Sequence, residues 1–219
     1  ELGIHGMVKA DIDTIASVFI PDSTGIRAKG FLNAEINGNA RLSQLNIYNF
    51  AHSSLEGNAC CKGLEIVSEK DSISMVINDL DVSLGPEVRT RRSDPKKKVR
   101  LIALLGTVDS TYISYKKSFE VNARDVTFAA RNSSGTSSGA NDTTAIKPLS
   151  ISVSANRLSV KDAVSTSLAL DNTENRFLLL PKKEHNDIPV MRVSSQNKRI
   201  FLMNTNNRII LTDASLKAT

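Results

Sequence analysis

The chain has 219 residues, room for one sizeable domain or two small ones, and 40% of them are hydrophobic, enough apolar surface for a core. It has no Trp and only two cysteines, Cys60 and Cys61; neighbours on an extended chain point to opposite faces, which excludes a disulfide framework. The net charge of +5 comes from one run: Arg89 to Arg100 holds seven bases and one acid, and taking these from the chain's 28 and 23 leaves 21 against 22.

A nucleic-acid-binding face spreads its cations and interleaves aromatic residues. No aromatic lies between Phe50 and Tyr112, so no nucleic-acid partner is expected. The sequence holds no nucleophile elbow, phosphate-binding loop or Cys/His nucleophile arrangement. His5, His52 and His185 are scattered without metal-ligand spacing. The carboxylate pairs Asp11/Asp13 and Asp79/Asp81 flank alternating apolar residues, where acids belong on the solvent side of a strand. No catalytic, cofactor-binding or metal-binding residue is assigned, and enzymatic activity is not expected.

In chain order, the first element is a short helix over Asp11–Phe19, where Ile12, Ile15, Ala16 and Phe19 fall at helical spacing before Pro21 stops the run. A strand then enters through Gly30 and alternates through Leu32, Ala34 and Ile36 before Gly38. From there the chain repeats one pattern: two alternating apolar residues, a slip of one position, then two more. It fits Ala40, Leu42, Leu45, Ile47; Ala59, Cys61, Leu64, Ile66; and Met75, Ile77, Leu80, Val82. It recurs at Val121, Ala123, Val126, Phe128; at Val153, Ala155, Leu158, Val160; and more weakly at Ile209, Leu211, Ala214, Leu216. The slip at Asn78-Asp79 predicts a bulge or tight bend inside the strand.

Between these strands the basic run near 89–98 is expected to be an exposed connection, with an anionic lipid or partner contact as the alternative. The alternation Ile113, Tyr115, Phe119, Val121, Ala123 is read as strand, with Lys117 interrupting. The stretch NSSGTSSGANDTTA, within 132–147, is expected to be a flexible loop, with a domain linker as the alternative. Strands with one apolar side belong to an antiparallel sheet that covers something on that side only. The fold class is therefore all-β: an elongated, twisted antiparallel sheet, curved into a groove or open barrel, of roughly twelve strands and about 55 Å long at the usual strand spacing, with at most one or two short helices. Residues 1–219 read as a single β domain.

The stretch DIDTIASVFIPDSTGIRAKGFLNAEINGNARLSQLNIYNF, with Pro21, Gly30, Gly38 and Leu45 as its structural punctuation, resembles the repeat of the AsmA-like family of bacterial envelope proteins. GTVDSTYISYKKSFEVNARDVTFAARN and NKRIFLMNTNNRIILTDASL resemble the same family. The resemblance implies a periplasmic fragment of a longer chain, anchored in the inner membrane by a segment outside this sequence. It also implies a role in outer-membrane biogenesis through phospholipid transport along an apolar groove, with phospholipid or another envelope lipid, and other envelope proteins, as partners. It carries no catalytic residue and no cofactor.

The residues expected to line such a groove come from one register of successive strands: Ile73, Met75, Ile77, Ile113, Tyr115, Phe119, Val121, Val126, Phe128, Val153 and Leu158. A one-residue slip exchanges the two faces, so placement after each slip is left open. The alternative is a structural, scaffolding β protein of the envelope with a closed core and no ligand, in which the same residues are ordinary packing.

Overall fold

A computed structural model describes residues 2–44, 50, 53–91, 94–116, 118–132, 148–163, 165–180 and 190–218. They form one ten-stranded antiparallel sheet in which every strand pairs with the next in sequence. The strands are β1 (Leu2–Asp11), β2 (Ile26–Ala40), β3 (Glu56–Ser68), β4 (Ile73–Arg91) and β5 (Asp94–Tyr115), followed by β6 (Phe119–Asn132), β7 (Leu149–Asp162), β8 (Ser167–Leu180), β9 (Val190–Met203) and β10 (Arg208–Ala218). The sheet is curved and open, not closed into a barrel. Ten strands, not twelve, shorten its span to roughly 43 Å across the strands.

One α-helix, α1 (Ile12–Phe19), leads from β1 to β2 and packs on β2. Asp11 caps it, its carboxylate accepting the Asp13 backbone N–H at 3.0 Å and so satisfying one of the first turn's free donors. Ile20, just before Pro21, is already extended.

The phase slip read from the sequence is a crease that crosses the sheet. Gly63 on β3, Asp79 on β4, Asp125 on β6, Asn172 on β8 and Asp213 on β10 all take positive φ, between 47° and 59°. On the intervening strands the residues facing them across the ladder, Asp109, Asn156 and Lys198, have no partner in the register either. Each strand from β4 to β10 thus carries one extra residue at the same level, so the ladder stays aligned while the alternation shifts phase everywhere together. Asp and Asn suit the left-handed conformation because their short polar side chains bond locally. Asn156 donates from Nδ2 to Asp125 Oδ2 at 3.1 Å across the crease. Five of the six repeat copies fall on strands with the slip at this level.

Three expectations are corrected. The Ala40, Leu42, Leu45, Ile47 copy is not strand: β2 ends at Ala40 and Leu42–Gln44 is a 3-10 turn, with Gln44 N–H donating to the Arg41 carbonyl and Arg41 N–H to Gln44 Oε1, both at 2.8 Å; residues 45–49 lie outside the described residues. The alternation from Ile113 to Ala123 is folded in two, β5 ending at Tyr115 and β6 starting at Phe119. Tyr115 pairs with Phe119, and a three-residue connection preserves parity, so the apolar phase survives the turn that the pattern concealed. The basic run is not a connection throughout: β4 continues to Arg91 and β5 starts at Asp94, with Arg89 opposite Val99 and Thr90 opposite Lys98. Cations do not prevent strand pairing when water can reach one side, and Val88, Thr90 and Val99 are β-formers. The stretch 133–147 lies outside the described residues.

Packing is thin. Among the described residues six of the ten buried apolar ones are alanines, the others being Leu55, Cys61, Ile102 and Leu149. One small cluster joins Ala40, Leu55 and Ile102, with Ile4, Phe50 and Leu84 against it, so that Phe50 and Leu55, beyond β2, lie on the sheet. Gly38 makes this corner possible: its φ is +132°, and a Cβ there would sit on the Ser54 backbone carbonyl. Gly38→Ala is expected to lower stability by about 2–4 kcal/mol, because strained backbone and a main-chain clash add. Gly106→Ala, where a Cβ meets only the far edge of the Phe128 ring, should cost much less. Urea unfolding of both variants checks the contrast.

Candidate functional site

All the groove candidates lie on one side of the sheet. Below the crease, rows of partnered residues run Ser68, Ile73, Tyr115, Phe119; Ile66, Met75, Ile113, Val121, Val160; and Leu64, Ile77, Thr111, Ala123, Leu158. Above it they run Leu80, Val108, Val126, Ala155 and Val82, Gly106, Phe128, Val153. The slip at the crease brings both halves onto the same face: Ile77 and Leu80 are half-buried while Asn78 and Asp79 between them are exposed.

Several residues on this face were outside the candidate set. Leu84, Leu104, Ala130, Ile151 and Phe177 form one further row above the crease; below it Leu168, Leu202 and Ile209 carry the Met75 row, and Leu170, Ile200 and Leu211 the Ile77 row, to the last strand. Applying the one-residue slip to every strand would have found them. The opposite face is largely polar: Ser74, Ser114 and Glu120 share a row, as do Asp81, Thr107, Thr127 and Ser154. There Arg131 clasps Glu87 with two N–H groups, at 3.0 and 3.1 Å, linking β4 to β6 over β5.

Among the described residues no second sheet lies against the apolar face, and much of it is exposed. Tyr115 and Phe119 are each 42% exposed, Ile73 37%, and Leu216, on the last strand, 66%; Met75, Ile77, Ile113, Val121, Val126, Phe128, Val153 and Leu158 are half-buried by their neighbours in the sheet. Toward β1 the face dips into an almost purely apolar hollow of about 340 Å³ lined by Val8, Ala34, Ile36, Val82, Leu84 and Leu104. Phe128 covers Gly106 on the adjacent strand, an aromatic side chain shielding backbone that glycine leaves bare. Buried Cys61 belongs to this face and Cys60 to the other. Burial, then the neighbouring Cys60 thiol, pushes the Cys61 pKa up, so it stays an apolar, protonated surface.

One polar island interrupts the face on β8 and β9. Thr173 and Asn197 face each other, as do Asn175 and Ser195. Asn175 donates to Thr173 Oγ1 at 3.1 Å and Asn197 to Ser195 Oγ at 3.0 Å. The Asn197 carbonyl oxygen is buried without a partner.

Among the described residues no three His, Cys, Asp or Glu side chains are grouped so as to hold a metal ion, and no helix is long and apolar enough to cross a membrane. The arrangement supplies apolar contact over much of one face. Among the described residues it defines a class, the open antiparallel sheet with one predominantly apolar face, much of it exposed. No protein-family model, curated protein or solved structure matches the chain.

Proposed function

We propose that the chain binds and conducts lipid along its apolar face, as the periplasmic part of an inner-membrane-anchored envelope protein that serves outer-membrane biogenesis. The observation that carries this reading is the run of apolar residues in register from β1 to β10, against which the described residues place no second sheet. A soluble protein leaving such a face bare would expose far more contiguous apolar surface than ordinary monomers do. Acyl chains are the ligands such a face suits. Each methylene withdrawn from water contributes about 0.8 kcal/mol, so two chains of ~16 carbons dragged bare through water would cost roughly 25 kcal/mol. A trough removes most of that cost without any directional contact, consistent with the absence of a catalytic or ligand motif. The resemblance of the N-terminal repeat to AsmA-like envelope proteins supports the compartment and the ligand class. In this reading the membrane anchor is supplied by chain outside these residues.

The scaffold alternative needs the apolar face filled by the protein's own side chains. The open sheet and its alanine-rich buried set speak against that. Native mass spectrometry of protein purified without detergent, with extraction of bound lipid, tests the proposal. Co-purifying phospholipid is expected; lipid-free protein that also fails to capture a photo-crosslinkable phospholipid would overturn it.

A further inference from the structure

On the polar face, between β6 and β10, the sheet forms a second and larger concavity, of about 790 Å³. Among its lining residues are Arg124, Arg157, Lys161, Arg199 and Arg208, against a single carboxylate, Asp171. This cluster lies outside the basic run at 89–100 that dominates the sequence, and the strand register alone assembles it. Arg124 on β6 lies opposite Arg157 on β7, Arg157 opposite Asp171 on β8, and Asp171 opposite Arg199 on β9. Lys161 and Arg208 approach from the neighbouring end of the same strands: Lys161 pairs with Ser167, Ser167 with Met203, and Met203 with Arg208.

Two features separate this trough from an ordinary solvated surface. Arg124 and Arg157 are like charges directly opposite one another, an arrangement that destabilises a sheet. None of the five cations makes an ion pair among the described residues; Glu120, opposite Lys161, instead accepts from the Tyr112 hydroxyl at 3.3 Å. Elsewhere on the sheet four strand cations do have carboxylate partners: Arg27 with Glu69, Lys29 with Glu65, Arg131 with Glu87 and Arg176 with Glu174.

We propose that this trough is a binding site for a ligand carrying two or more closely spaced phosphate groups. Four of its five cations are arginine, whose planar fork holds phosphate oxygens in bidentate fashion. The excess of cations over Asp171 matches an oligophosphate rather than a single carboxylate. The volume falls within the range of small-ligand sites, and Phe201 and Met203, also in its lining, provide apolar contact beside the charged groups. Those phosphates come either from a soluble oligophosphate or from a membrane surface that presents several lipid phosphomonoester headgroups side by side. The site occupies the face opposite the apolar trough and stands on different residues from the lipid reading.

Calorimetric titration with tripolyphosphate at low salt, and sedimentation with phosphatidylcholine vesicles with or without phosphatidic acid, test this. Tripolyphosphate is expected to bind, and added salt to weaken it. Arg124→Ser with Arg157→Ser should lose about tenfold or more in affinity, since hydrogen bonds to charged groups are the strong ones, while melting no lower than the parent because a like-charge pair is gone. Arg27→Ser with Lys29→Ser removes the same charge from β2 and should leave binding unchanged. Arg124→Lys with Arg157→Lys keeps charge and should fall between. Binding of tripolyphosphate without vesicle sedimentation assigns a soluble ligand; sedimentation only with phosphatidic acid, competed by tripolyphosphate, assigns a headgroup. Failure of both probes to bind the parent, or equal losses in the trough variant and the β2 control, overturns the proposal.

Discussion

Replacing Asp79, Asp125, Asn172 and Asp213 together by valine is expected to lower stability by about 4–8 kcal/mol, measured by urea unfolding, although valine is among the best strand formers. Each of these residues holds φ between 47° and 51°, where a β-branched side chain costs roughly 1–2 kcal/mol. They sit on alternate strands, about 10 Å apart at ordinary strand spacing, far enough for the costs to add. The matched replacement by glycine should be much milder, since glycine populates this region without penalty and loses mainly chain entropy. An unchanged urea midpoint for the valine variant would show that the crease does not depend on left-handed backbone. Equal damage from glycine would instead place its stability in side-chain bonds such as Asn156 to Asp125.

The crease also explains which parts of the fold the sequence made legible. Alternation is imposed by the geometry of a strand, and a sheet that exposes two different faces keeps it wherever one face excludes water. The pattern around Asn78-Asp79 therefore located both the strand and its bend, and its copies on β3, β6, β7 and β10 did the same. On β8 and β9 the polar island put Thr173, Asn175, Ser195 and Asn197 at apolar-face positions, which hid the repeat there. Turns that preserve parity are silent in such a pattern. Residues 116–118 separate two strands without disturbing the phase, so Tyr115 and Phe119 read as one strand. The basic run misled for the opposite reason: charge marks exposure, and an exposed strand is as compatible with it as a loop. The crossed row Arg124, Arg157, Asp171, Arg199 could not be found at all, because nothing local relates residues whose proximity depends on three strand registers. Whether the apolar face is open was equally hidden, since inward-facing positions alternate identically in a trough and in a packed core.

Charge placed on that face separates the two. Met75→Asp and Phe128→Asp are expected to abolish capture of a photo-crosslinkable phospholipid, by about 100-fold or more, while the protein stays folded. Met75 lies between Ile66 and Ile113 in the ladder, and Phe128 between Gly106 and Val153, so both touch the path an acyl chain would follow. An acyl chain laid over a carboxylate must strip its water, which costs several kcal/mol. Without lipid the same carboxylate reaches solvent from a half-buried position, and the loss of stability should stay near 1–3 kcal/mol. Ser74→Asp and Thr127→Asp, one residue along on the polar face, should leave capture intact. Capture by the variants should return as pH falls. The apolar surroundings hold the introduced carboxyl's pKa above its ordinary value of about 4, so the acid becomes neutral, and compatible with an acyl chain, at pH values where exposed carboxylates are still ionised. Unfolding of both variants together with a parent that captures no lipid would defeat the conduit and leave a packed scaffold.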